Sequence, residues 1–344
     1  MNIVGYSDRL SVERDDEIAF MVSTDSDTYH AEVVRLFHGD DSPLSPGFKS
    51  EYIPSSLDGD HKGIEQVLLP GSYIRIPHRD EMDLSSSFTI QLWMWPTTPE
   101  KRSQTLFSQR GPDVQGVALR LEDGNLRLTV GNNELTLHGR IETRMWHFVS
   151  AVYDAQVNEM RLPLEREKST RPKMTETARG AASGVPTSSS DLLIGGEEML
   201  DDNEPVVGNF YNGKIEAPHS YNVALSEHEL VTHRDANSDI LNIPVIAKWD
   251  FPQGIGTWSN TDSSGNGFHG HAVNMPMRAA TGRNWDGTET SWRNAPHQYG
   301  AVHFHDDDLS DAKWEKSVKL KIPPALPSGI YALHVTAGTG TSTP

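Results

Sequence analysis

Strand-length runs recur along almost the whole sequence, and they constrain the fold more than any other feature. Residues 17–24 (EIAFMVST), 29–38 (YHAEVVRLFH), 72–77 (SYIRIP), 87–96 (SFTIQLWMWP), 105–110 (TLFSQR), 116–123 (GVALRLED), 125–131 (NLRLTVG) and 146–154 (WHFVSAVYD) are each about one strand long. Turn residues such as Asp123-Gly124 and Gly131-Asn132-Asn133 separate them. Short strands at even spacing mark a sandwich or barrel. Only 225–237 (LSEHELVTHRDAN) carries helical spacing, with Ser226 as N-cap and Glu229 three residues on as its capping-box partner. The fold class read from this pattern is all-β.

The two ends of the chain each hold half a domain. Near the start, 10–13 and 17–24 read as strands joined by the polar turn Glu13-Arg14-Asp15-Asp16, and 29–38 follows before DDSPLSPG (40–47) breaks the pattern. Three strands do not make a sandwich; about seven do. The end supplies more: 299–305 (YGAVHFH), 316–322 (KSVKLKI) and 329–337 (GIYALHVTA). Val318, Leu320 and Ile322 share one face and Lys319 and Lys321 the other, the period of a half-buried strand. The stretch KLKIPPALPSGIYALHV resembles the strand, proline-rich corner and strand of immunoglobulin-like β-sandwiches. The expectation is one discontinuous sandwich, 1–48 plus 290–338, around an inserted domain, 49–289. Residues 163–190 and 197–205 read as long polar loops, and 339–344 as a linker.

The insert has its own signature. SFTIQLWMWPT, TLFSQRG, GVALRLEDGNLRLTVG, MWHFVSAVYD, LLIGG and FYNGKIEAPHSYNVALSEHEL resemble, in order and spacing, the laminin-G-like, concanavalin-like jelly roll. Phe88, Ile90 and Leu92 alternate with Thr89 and Gln91 as that fold requires. The motif DSSGNGFHG (262–270) and the run VIAKWDF (245–251) resemble segments that usually open such a domain, yet here they follow the helix. Circular permutation explains the order, because the first and last strands of this fold lie side by side. In some relatives the DSSGNG turn holds Ca²⁺. The resemblance therefore implies a calcium site from Asp262, Asn266 and backbone carbonyls, with Asp58 and Asp60 as further carboxylates, since hard cations take six to eight oxygens. The alternative is a tight turn that uses glycine and Asp/Asn for local geometry.

Other candidate chemistry is sparse. His303 and His305 stand at i and i+2, on one face of a strand, ahead of Asp306-Asp307-Asp308. Imidazoles with a carboxylate can bind Zn²⁺ or Fe²⁺. The plainer reading puts Phe304 in the core and the acids in a solvated turn. Trp93, Trp95, Trp146, Trp258, Trp285 and Trp292 could stack on sugars, or fill core and interface positions. There is no GxSxG, P-loop, HExxH or GxGxxG element. With 48 Asp and Glu against 30 Lys and Arg, the net charge of −18 repels phosphate backbones, so no nucleic-acid partner is expected. The absence of cysteine removes disulfides and thiolate metal sites. No apolar run approaches a membrane span, and a cytoplasmic setting is expected.

The flanking segments narrow the field. GYSDRLSVERDDEIAFMVST, VVRLFHGDDSPLSPGFK and LPGSYIRIP near the start, with QYGAVHFHDDDLSDAKWEKSVKLKIPPALPSGIYALHV at the end, resemble the N-terminal region of the N,N-dimethylformamidase large (beta) subunit. The resemblance implies an amidohydrolase that splits N,N-dimethylformamide into dimethylamine and formate. It implies a mononuclear iron, held by two tyrosines and a glutamate in a later amidotransferase-like catalytic domain, a small partner subunit and a higher oligomer. No cofactor is expected within this chain itself, apart from the possible calcium. The chain is expected to be the front part of a longer polypeptide.

Overall fold

The computed structural model describes residues 3–40, 42–82, 84–112, 115–166, 174–184, 188–234, 243, 245–338 and 342–343. The chain divides into two compact units, Met1–Leu69 with Ala312–Pro344, and Pro70–Asp311. Nearly all regular structure is strand, and the described residues contain one α-helix.

The first unit is two sheets over a small core. Ile3–Ser7, Glu17–Thr24 and Val318–Lys321 form a three-stranded sheet. The other sheet has five strands: Ser342–Thr343, Ile330–Ala337, Thr28–His38 and Lys49–Ile53 in order, with Gly59–Lys62 also on Thr28–His38. The alternation seen in the sequence sets which side faces in. Ala31, Val33, Leu333 and Val335 meet Val22, Val318 and Leu320 in the core, while Lys319 and Lys321 point out.

The second unit is a pair of eight-stranded sheets. One runs Asn133–Leu137, Asn125–Val130, Gly116–Glu122, Gln104–Arg110, Leu192–Ile194, Tyr73–Ile76, Gly270–Val273, Ser259–Asn260. The other runs Met174–Ala181, Glu159–Arg166, His147–Asp154, Phe88–Pro96, Gly213–Tyr221, Ala301–Phe304, Met277–Ala280, with Val245–Lys248 also on Gly213–Tyr221. Phe88, Ile90, Leu92 and Met94 enter the shared core with Phe107, Leu119, Trp249 and Phe304, all at 0% exposure. Burying such side chains contributes roughly 1.5–3 kcal/mol each. The segments after the helix lie in these same sheets, Gly270–Val273 beside Tyr73–Ile76 and Val245–Lys248 beside Gly213–Tyr221.

The helix explains why Phe88–Pro96 is buried on both sides. Glu227–His233 begins at Ser226, whose side chain accepts from Glu229 N–H while the Glu229 carboxylate accepts from Ser226 N–H, the capping box read from the sequence. The outward Gln91 amide donates to Leu230 O at 3.1 Å and to Ser150 Oγ at 3.0 Å. Thr89 Oγ1 donates to Val223 O at 2.7 Å and accepts from Leu225 N–H at 3.0 Å. The polar half of the strand is thus satisfied beneath a helix rather than in water.

Several expected boundaries move. The opening strand is Ile3–Ser7, not 10–13. Residues 49–62 pair with Thr28–His38 and so belong to the first unit. Ala301–Phe304 pairs with Gly213–Glu216 and belongs to the second, because Val302 and Phe304 face the larger core. Alternation marks a strand but does not say which sheet receives it. The 163–190 loop contains most of a hairpin, Glu159–Arg166 with Met174–Ala181, and 197–205 is another, Glu197–Asp201 with Glu204–Gly208. Their polar composition reflects strands that turn one face to solvent. Of the expected linker 339–344, Ser342–Thr343 pairs with Val335–Thr336, and the rest lies outside the described residues.

Candidate functional site

The four residues of the calcium expectation divide between the two units: Asp58 and Asp60 in the first, Asp262 and Asn266 in the second. In each unit the carboxylates have other partners. Asp262 accepts the backbone N–H groups of Lys248, Ser264 and Phe268, each at 2.9 Å, and the Ser264 hydroxyl at 2.8 Å. The Asn266 amide donates to Val245 O and Ile246 O. Gly265 (φ 94°) and Gly267 (φ 77°) take the left-handed conformations between them. Burial alone would raise the Asp262 carboxyl, but the N–H bonds from Lys248, Ser264 and Phe268 outweigh it and hold the group below the usual carboxylate range. A cation of the chain also sits here: Arg79 donates to Asn266 O at 3.2 Å, its guanidinium 4.7 Å from the centre of the Phe268 ring. Asp58 accepts from the Tyr52 hydroxyl and from Ser55, and Asp60 pairs with His30 at 3.0 Å. Among the described residues no group of three or more His, Asp or Glu is placed to hold a metal ion.

The densest chemistry lies on the face of the second sheet turned away from the core. Period-2 alternation on three adjacent strands aligns Trp95, Lys214 and His303 in one cross-strand row, and Trp93, Glu216 and Ala301 in the next. The Lys214 ammonium lies 4.6 Å from the centre of the Trp95 ring and donates to Thr281 O and Thr281 Oγ1 at 3.0 and 2.7 Å. Desolvation by burial lowers its pKa, against the pull of Glu216. The Glu216 carboxylate accepts from Arg283 N–H at 2.7 Å, and the Arg283 guanidinium covers Trp93 at 4.6 Å. Both ring faces therefore already carry cations. The packing is tight: a Cβ at Gly282 would stand 2.7 Å from the Glu216 carboxylate.

His303 and His305 share this face, as expected, with ring centroids 4.1 Å apart. The strand ends at Phe304, whose side chain is in the core. Ser72 holds the backbone beyond it, its N–H donating to His305 O at 2.9 Å and its hydroxyl accepting from His305 N–H at 3.1 Å. Asp308 meets His305 Nδ1 at 3.3 Å and the Ser72 hydroxyl at 2.7 Å, and Asp306 pairs with Lys101. Desolvation, with His305 and Lys214 nearby, lowers His303 to about 4, so its ring is neutral at pH 7.

The tryptophans separate by role. Trp93 is 2% exposed, and Trp292 is covered by Arg293 at 4.5 Å. Trp258 and Trp285 are open, at 42% and 46%. Trp249, not singled out from the sequence, is in the core and donates to Phe268 O at 2.8 Å. Sequence reasoning also missed Arg79, Lys214, Glu216, Thr281 and Arg283. Lys214 and Glu216 flank Ile215 at strand period, which places them on one face, but the partners that cover them come from distant positions.

Two family models match parts of the chain. Residues 70–231 match the family model of the concanavalin A-like lectin/glucanases superfamily, and 277–343 match that of the N,N-dimethylformamidase beta subunit-like C-terminal region. The N,N-dimethylformamidase beta subunit of Alcaligenes sp. is 34% identical over 97% of this chain and 47% of its own length. That of Paracoccus aminophilus is 35% identical over 98% and 48%. The chain is a relative of the N,N-dimethylformamidase beta subunit. It spans about half the length of those curated relatives. A SAP-like pentraxin from Limulus polyphemus superposes with a TM-score of 0.36 at 15% identity, over 60% of this chain and 84% of that one, a fit too loose to carry argument.

Five of the nine tyrosines have local partners. Tyr52 donates to Asp58, Tyr153 to Gly184 O, Tyr299 to Glu289 O and Tyr331 to Pro327 O; Tyr221 meets His233 at 3.3 Å. These five phenols serve turns and local packing.

Proposed function

We propose that this chain is the non-catalytic scaffold and subunit-contact region of an N,N-dimethylformamidase-like beta subunit. The observation that carries the reading is a mismatch of coverage: 97% of this chain, but 47% of the relative, enters the match. The other half of such a subunit would hold the mononuclear iron and split N,N-dimethylformamide into dimethylamine and formate. Two features of the chain support this. Three acidic groups of the jelly roll are engaged locally, Asp262 in a turn, Glu229 in a helix cap and Glu216 with the Arg283 N–H. The outer face of the five-stranded sheet presents Tyr52 and Ile330, 51% and 71% exposed, in register with Val34 and Leu36. We read these two exposed side chains as part of a contact surface for the catalytic half, the small subunit or further copies. The described residues contain no helix long and apolar enough to cross a membrane. A cytoplasmic setting is proposed from the cysteine-free composition.

The test is metal content. The purified chain, exposed to ferrous iron and desalted, should retain far less than one iron per chain; stoichiometric iron would overturn the reading. The competing reading is a calcium-dependent carbohydrate-binding module. It draws on the jelly roll and on Trp258 and Trp285, but Lys214 and Arg283 already cover Trp95 and Trp93. A glycan array with and without Ca²⁺ separates the two, since calcium-dependent capture of a glycan would favour the module.

A further inference from the structure

We propose that His303, His305 and Met277 form a binding site for a cuprous ion on the outer face of the second sheet. Nothing in the dimethylformamidase reading calls for such a site, and it stands independently of that reading.

Two nitrogens make the case. The Nε2 atom of His303 is buried and has no hydrogen-bond partner. An imidazole nitrogen left so is unfavourable, and a metal ion is one group that would satisfy it. His305, whose ring packs 4.1 Å away, has its side chain 35% exposed. Its Nδ1 faces the Asp308 carboxylate at 3.3 Å, and Asp308 is itself fixed by the Ser72 hydroxyl at 2.7 Å. This is the arrangement by which a carboxylate orients a metal-binding imidazole: the N–H is donated on one side and the lone pair of Nε2 is presented on the other.

A third donor stands across the ladder. Met277 is the direct cross-strand neighbour of His303, and it is 55% exposed rather than packed. Directly opposed residues share a face, with Cβ atoms about 4.5–5.5 Å apart. A thioether is a soft ligand that selects Cu⁺, whereas imidazole alone accepts zinc, copper, nickel or iron.

Charge chooses the same ion. The nearest carboxylates are already spent, Asp306 on Lys101 and Asp308 on His305 and Ser72. Lys214, the other cross-strand neighbour of His303, keeps a cation beside the site. Repulsion from that ammonium scales with the charge of the ion, so a divalent metal on neutral ligands is disfavoured twice as strongly as a monovalent one. Two imidazoles and a thioether are a neutral, soft set suited to Cu⁺.

The experiment is anaerobic competition for Cu⁺ against bicinchoninate, whose coloured complex fades as the full 344-residue chain takes up metal. One equivalent should be withdrawn. His305→Gln and Met277→Leu should each weaken binding at least about tenfold, and Asp308→Asn by about ten- to a hundredfold. Circular dichroism and melting temperature should stay at the parent values, which separates lost ligands from lost fold. Three results would overturn the proposal: no metal withdrawn, undiminished binding in the His303→Gln, His305→Gln double variant, or binding that is indifferent to Met277→Leu and equally tight for Zn²⁺.

Discussion

The two units solve the same problem, burying a strand-rich chain, to different depths. The jelly roll closes two eight-stranded sheets over a core in which Phe88, Phe107 and Trp249 are completely covered. The smaller unit sets three strands against five, and its core residues Val318, Leu320 and Leu333 keep 7–8% exposure. A cleft of about 580 Å³ opens beside that core, walled by Ile18, Phe20, Val33, Leu320, Ile322 and Tyr331. The smaller unit also leaves Leu10, Phe37, Leu44, Tyr52 and Ile330 in solvent. A domain that buries little of its apolar surface is marginal alone and gains most from a partner. The difference teaches how far strand number sets the sealing of a core.

The largest effect should come from the jelly-roll core. Trp249→Ala removes a fully buried ring and leaves Phe268 O unpaired, and should cost about 3–5 kcal/mol. Leu320→Ala, beside the open cleft, should cost nearer the low end of about 2–5 kcal/mol, because less contact is lost. Denaturant titration followed separately for the two units checks both. Equal costs would break the comparison.

The DSSGNG turn comes next. Asp262→Ala leaves three backbone N–H groups without their acceptor and should destabilise the jelly roll by about 2–4 kcal/mol. Since this carboxyl lies below its ordinary value of 3.8 in the folded chain, its contribution is present above that value. It is lost as pH falls through the folded pKa. Calcium or EDTA should leave the melting temperature unmoved, and a rise with Ca²⁺ would show that the turn takes a metal after all.

Acid sensitivity sharpens the contrast at a smaller scale. His219 is lowered to about 4 by burial, its ring between Ala217 O at 2.8 Å and Gln91 Oε1 at 3.2 Å, and His303 likewise to about 4. Both folded values lie below the unfolded 6.5, so the unfolded chain binds more protons between them. Jelly-roll stability should therefore hold above about pH 6.5 and fall as pH drops toward 4. A His219→Gln variant should show a shallower fall in melting temperature over that window. The smallest effect is at the helix: Ser226→Ala removes the N-cap acceptor and should cost about 0.5–2 kcal/mol.

What could be read from the sequence follows from range. The capping box of Ser226 and Glu229 spans three residues, and the structure contains it. The alternation of Phe88, Ile90 and Leu92 is equally local, and those residues fill the core. What escaped were several pairings made at long range. Ala301–Phe304 reads as a strand, but only its partner, Gly213–Glu216, assigns it to the jelly roll. The Glu159–Arg166 hairpin reads as loop because polar strands with one wet face lack the apolar runs that announce a strand. For Asp262, the resemblance of the DSSGNG turn implied a metal, but the local N–H groups of Lys248, Ser264 and Phe268 are its partners. Arg283 over Trp93 joins positions far apart in sequence, and nothing near either residue announces the pair.

The central claim is that this chain frames an amidohydrolase without performing its chemistry. The direct measurement is dimethylamine released from N,N-dimethylformamide by the purified, iron-supplemented chain. We expect no release above the protein-free control. Sustained turnover by the chain alone, lost on heating it past its melting transition, would contradict the claim.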